Sequence, residues 1–150
     1  MHELIESART LGPFSEDDAL AYQRYAPRLV ALVNERMTER EDIHDLLGVA
    51  SLELMRDNHA NHARFIGSIL KAFQAEVLVE TIIWVLRTYK SRGISSAYWA
   101  AQLNTWHIVI SETLKEAEVA NVLELYAWIQ VHLPVFDKLA QMESGQEQNL

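Results

Sequence analysis

Residues 76–92, EVLVETIIWVLRTYKSR, decide the fold class. Taken alone, the centre IIWVL reads equally well as a buried strand, because a short apolar run has no period that separates strand from helix. Length and flanks settle it for helix. Glu76 and Glu80 stand in the first turns and Arg87, Lys90 and Arg92 in the last, which suits the helix dipole. Gly93 follows where a helix end takes a left-handed residue. Val77, Leu78, Ile82, Ile83, Val85, Leu86 and Tyr89 cover most of the circumference, so this helix is expected to pack against more than one neighbour.

Working outward, the apolar spacing stays helical, and no Asn-Gly or Asp-Gly hairpin turn interrupts it. Downstream, Ser95 or Ser96 is expected to cap a helix with the stripe Trp99, Leu103, Trp106 and Ile110. A last helix is expected over about 118–141, ended or kinked at Pro134. Upstream, Gly12-Pro13 stops a short amphipathic start, and Ser15 with Asp18 opens a helix to about Thr38, bent at Pro27. Asp42 is expected to cap a short piece through Leu47. Gly48 then makes a break or tight crossing before a run over 49–73, where Asp57-Asn58 favours an interruption by competing for backbone hydrogen bonds. Six to eight helices in a chain of 150 residues suit an all-α, globin-like fold better than a four-helix bundle, which uses fewer and longer elements. The expectation is a single domain over 1–150, with 1–14 as a short N-terminal helix or arm and 142–150 as a disordered polar tail.

Composition narrows the function. The chain is 49% hydrophobic and 23% charged, which excludes collagen and disordered tails. With 13 Lys and Arg against 21 Asp and Glu, the net charge of -8 repels a phosphate backbone, so nucleic acid is not expected as a partner. The absence of Cys removes disulfides, thiolate metal sites and thioether attachment of a cofactor. No membrane span and no leader is read, and a soluble, cytoplasmic protein is expected.

The densest group of functional side chains is MRDNHANHARF, residues 55–65. On a helix, His62, Phe65, Ile66, Ile69 and Phe73 share the core-directed face, with His59 one turn before His62. Asp57, Asn61 and Arg64 fall on the adjacent edge. His59 reads as a capping or solvated residue and His62 as a core-edge residue bonded to a carbonyl, or, equally, both read as part of a crevice wall. His59 and His62 are spaced to meet one metal ion, but no third ligand or His-Glu-x-x-His run accompanies them, so no metal is expected. No carboxylate dyad, phosphate loop or nucleophile elbow stands out, and no catalytic residue is named. Trp84, Trp99, Trp106 and Trp128 fall at core or interface spacing. Arg56, Arg64, Arg87 and Lys90 are cations within reach of an acidic ligand.

Leu54-Met55-Arg56-Asp57 resembles the Cys-x-Arg-Asp motif of phycobiliproteins, in which the Cys carries a linear tetrapyrrole and the Asp hydrogen-bonds its pyrrole N–H groups. Ala75, Val77-Leu78, Glu80, Leu86-Arg87, Thr88-Tyr89, Gly93 and Ser95-Ser96 resemble the following stretch of those subunits, with one-residue offsets. The likeness covers about 54–96. Leu54 stands where the family has its attachment Cys, so the resemblance implies a bilin held non-covalently. The N-terminal region is too short for the two extra helices with which phycobiliprotein subunits dimerise. Both departures point to the globins associated with bilin biosynthesis, which are similar to phycobiliproteins but have no antenna role.

The resemblance implies a non-enzymatic carrier or sensor of biliverdin or phycocyanobilin, in a crevice between the 49–73 and 76–92 helices. Arg56, Asp57, His59, His62, Phe65, Trp84, Arg87 and Tyr89 are its expected binding residues. Two other readings stay open. One is a non-haem globin sensor or dimerisation domain that binds a fatty acid or no ligand, with a homodimer through the last helix. That helix is too apolar for a single buried face, since Leu123 and Trp128 lie off the stripe of Val122, Leu125, Tyr126, Ile129, Leu133 and Phe136. The other is a haem globin, which would need His62 or His59 as an atypical axial ligand because 76–92 contains no His.

Overall fold

The computed structural model describes residues 1–142, without the side chains of residues 116–118. The expected tail, 142–150, lies almost wholly outside them. Seven α-helices follow one another: α1 (His2–Ala8), α2 (Glu16–Thr38), α3 (Ile43–Leu47), α4 (Leu52–Lys71), α5 (Ala75–Ser91), α6 (Ala97–Thr113) and α7 (Glu116–Gln141). A 3-10 turn, Arg9–Leu11, extends α1, and no strand occurs among the described residues. The protein is all-α.

Helix starts follow the chemistry of side chains that satisfy free N–H groups. Ser15 accepts from the Asp18 N–H at 3.1 Å, and Ser51 accepts from the Leu54 N–H at 3.0 Å. The second cap starts α4 at Leu52, later than the run expected from residue 49. Asp42 occupies the position before α3 but does not cap it, because Arg40 holds both of its carboxylate oxygens, at 2.8 and 3.0 Å. Ser96 precedes α6 without a side-chain bond. Its neighbour Ser95 instead donates to the Leu46 carbonyl through Oγ and N–H, at 2.7 and 3.1 Å, and so ties the start of α6 to the end of α3.

α2 continues through Pro27, and α7 continues past Pro134 rather than ending there. α4 is uninterrupted at Asp57-Asn58, because buried Asn58 spends its carbonyl on the Tyr98 hydroxyl, at 2.7 Å, rather than on its own backbone. Gly48 does make a tight crossing. A Cβ there would lie 2.4 Å from the Gly93 carbonyl oxygen, with φ at +62°, and Gly93 itself has φ of +99°.

The helices pack so that α4 and α5, neighbours in sequence, take different partners. α4 lies on α2, whereas α5 lies on α7 and α1, and α6 bridges α2 and α7. Tyr22, Tyr98, Trp106, Tyr126 and Phe136 are fully buried between them. Residues 119–141 of α7 are long and apolar enough to cross a bilayer by length and composition, which the sequence reading did not register. In the fold, Val122, Leu125, Tyr126, Ile129, Phe136 and Leu139 of this helix are buried in the protein core. Trp128, off that stripe, is covered by α1: its indole N–H donates to Ser7 Oγ at 3.0 Å. Val131 and Val135 remain exposed.

Candidate functional site

Because α4 and α5 take their packing from opposite sides, a cleft of about 720 Å³ opens between them, inside the usual range of roughly 300–1,000 Å³ for small-molecule sites. α4 supplies one wall, with Leu54, Asp57, Asn61, His62 and Phe65. α5 supplies the other, with Thr81, Trp84, Val85, Thr88 and Tyr89. Trp99, Gln102 and Leu103 of α6 and Ile129 and Leu133 of α7 form the floor.

Of the expected binding residues, Asp57, His62, Phe65, Trp84 and Tyr89 line this cleft. Asp57 and His62 do so on an uninterrupted α4, because the cleft runs along the helix edge between their two directions. Trp84 is 62% exposed, at the rim rather than in the core. The Tyr89 hydroxyl accepts from Asn61 Nδ2 at 3.2 Å and links the two walls.

Arg56, His59 and Arg87 do not reach the cleft. Arg56 is exposed on the α2 side of α4, beside Glu35 and Glu39, one helical step round from Asp57. His59 is fully buried toward α2 and α6: Nδ1 lies 2.6 Å from Asn34 Oδ1, and Nε2 lies 2.9 Å from the Tyr98 hydroxyl. Arg87 turns to the end of α7 and donates to the carbonyls of Leu139, Ala140 and Met142 at 2.9–3.1 Å, satisfying acceptors that the helix leaves free. The cations that do line the cleft are Arg64 and Arg92, both exposed at its rim, and not Lys90. Arg64 also donates to the Asn61 side-chain Oδ1.

Behind the α4 wall lies a buried hydroxyl relay. Tyr22 and Tyr126 meet at 2.9 Å, and the Tyr126 hydroxyl lies 2.7 Å from His62 Nε2. Burial raises the pKa of Tyr22 and Tyr126, so both stay protonated. Every hydroxyl proton finds an acceptor only if Tyr22 donates to Tyr126 and Tyr126 donates to Nε2. Burial, and then the nearness of His59, lowers the His62 pKa to about 3, so its ring is neutral. A neutral ring that accepts at Nε2 carries its proton on Nδ1, and that N–H is left for the cleft. The Trp106 ring, 4.6 Å from that of His62, fixes the imidazole from below.

One residue escaped the sequence reading. Gln102 is 1% exposed on the floor, and neither of its amide atoms has a hydrogen-bond partner. Its signal was available: it is a polar residue set among Trp99, Leu103 and Trp106 on an otherwise apolar stripe. Among the described residues, no three His, Asp or Glu gather to hold a metal ion. Comparison of the chain with protein-family models, with curated proteins and with solved structures gives no match. The arrangement is chemically an apolar slot with Arg64, Arg92 and the Asp57 carboxylate exposed at its rim and neutral hydrogen-bonding groups at its depth.

Proposed function

We propose that this is a globin-like, non-enzymatic protein that holds a linear tetrapyrrole non-covalently in the α4–α5 cleft, as a carrier or sensor. The observation that carries the reading is the polarity of the cleft. A bilin has two propionates on its middle rings and neutral polar groups at its ends, and it needs cations at an open rim and uncharged partners within. Arg64 and Arg92 suit the propionates, Asp57 suits the pyrrole N–H groups, and Phe65, Trp84 and Tyr89 suit the ring faces. Leu54 and Asp57, the positions that resemble the phycobiliprotein attachment Cys and its Asp, both face the cleft. The parting of two successive helices over a floor of the last two also favours the globin-like comparison.

The two rivals fit less well. A fatty acid uses one cation and apolar walls and leaves the buried Gln102 amide unpaired. Haem needs an axial ligand, and His62 already has Nε2 engaged by Tyr126, while α5 carries no His. A homodimer through α7 is favoured only by the exposed Val131 and Val135.

Titration of the purified protein with biliverdin or phycocyanobilin tests the proposal. The red absorption band is expected to shift and sharpen to saturation, and His62→Ala is expected to weaken the change far more than His2→Ala. An unchanged spectrum refutes the reading, and native mass spectrometry that finds a bound fatty acid replaces it with the first rival.

A further inference from the structure

We infer that the floor of the cleft is a lactam-binding subsite, in which the Gln102 carboxamide pairs with the C=O and N–H of a cyclic amide and His62 donates a further bond to the same carbonyl. The inference rests on the binding role proposed for the cleft but not on the ligand being a tetrapyrrole.

The starting point is an unpaired group. Gln102 is 1% exposed, lines the cleft, and has neither Oε1 nor Nε2 paired within the protein. A buried amide left so costs about 1–3 kcal/mol for each lost partner, and a well-packed helix face normally places an apolar residue there. A neighbouring ring offers a second donor to the same cleft. Gln102 and Trp106 are one turn apart on α6 and therefore share a face, and His62 lies against Trp106 at 4.6 Å. With Nε2 held by Tyr126 at 2.7 Å, the His62 N–H that remains is the one on Nδ1.

Three groups thus converge: one acceptor, Gln102 Oε1, and two donors, Gln102 Nε2 and His62 Nδ1. A lactam matches them. Its ring holds C=O and N–H on the same side, so both bonds to a primary amide form side by side, and the second lone pair of its carbonyl remains for His62. A ketone leaves Oε1 unpaired. A carboxylate has no N–H for Oε1 and brings a net charge to a floor whose nearest cleft cations, Arg64 and Arg92, stand at the exposed rim. The ligand therefore enters with a neutral ring foremost, and any acidic group it carries stays at the rim.

The test uses the side-chain NH2 resonances of Gln102 in the full-length protein, assigned through the backbone and checked by their loss in Gln102→Met. Adding 2-pyrrolidinone is expected to move this pair to saturation. Cyclopentanone and N-methyl-2-pyrrolidinone, rings of similar shape without the N–H, are expected to move it at most weakly. Equal response to all three, or none to 2-pyrrolidinone, overturns the subsite and leaves Gln102 to water. A second arm separates this inference from the tetrapyrrole reading. In Gln102→Met, biliverdin affinity is expected to fall about tenfold, the loss of a hydrogen-bonded pair. Biliverdin that binds the parent and Gln102→Met equally overturns the subsite and keeps the tetrapyrrole. Selective binding of 2-pyrrolidinone by a protein that ignores biliverdin supports the subsite and refutes the tetrapyrrole.

Discussion

Replacing His59 by Gln is expected to flatten the fall in stability of this protein on mild acidification. His59 is fully buried and bonded only to neutral partners, Asn34 and Tyr98. Burial lowers its pKa from 6.5 to about 3. The folded protein therefore refuses a proton that the unfolded chain accepts, and the difference sets in as pH falls below 6.5 and grows until about pH 3. At pH 5 the gap from the unfolded value is 1.5 units, which at 1.36 kcal/mol per unit makes about 2 kcal/mol from this residue. Urea unfolding followed by tryptophan fluorescence at pH 7 and pH 5 reads it. With a urea slope of about 1–3 kcal/mol/M, the parent midpoint should fall by roughly 1 M more than that of His59→Gln. The other titratable groups are the same in both proteins, and His62 changes only through loss of the lesser of the two causes that lower its pKa, the nearness of His59, burial being the larger. Whatever the substitution costs at pH 7, only the change between the two pH values counts. An equal fall in both proteins refutes the claim that His59 is held neutral.

Two further predictions concern glycine and Arg87. Gly48→Ala, with its Cβ 2.4 Å from the Gly93 carbonyl oxygen at φ of +62°, should lose about 2 kcal/mol or more, read as a drop of several degrees in Tm. Gly67→Ala, with nothing within 4 Å of the added Cβ inside α4, should gain about 0.5–1 kcal/mol; a melt that shows the same sign for both contradicts the crossing. Arg87→Met removes the donor to three carbonyls at the end of α7 and should cost about 2 kcal/mol with no change in biliverdin affinity, measured by thermal melts and absorption titration. A weakened titration returns Arg87 to the cleft.

The all-α class and most helix ends were legible in the sequence, because they depend on local chemistry. The apolar period of residues 76–92 carries its own argument, and Ser15 caps through an N–H three residues away. Local rules failed where a competing partner came from nearby or afar: Arg40 took the Asp42 carboxylate, and Tyr98 took the Asn58 side chain that otherwise favours a break in α4. The 55–65 cluster was visible as a place, and Asp57, His62 and Phe65 of it line the cleft.

Which member of each pair faces that cleft was decided by tertiary structure. α4 is covered by α2 on one side and open to the cleft on another, and one residue turns the helix by about 100°, so Arg56 and Asp57 part, as do His59 and His62. Periodicity finds a buried face but cannot say whether another helix or a cavity lies against it. Arg87 went to the end of α7 and Arg92 to the rim for the same reason: each went where the rest of the fold placed an acceptor or left a space. The sequence by itself thus determined an all-α chain of six to eight helical segments and a group of polar side chains. The packing of α4 and α5 on opposite partners determined that there is a cleft at all, because a gap between helices is a property of their neighbours and has no residues of its own.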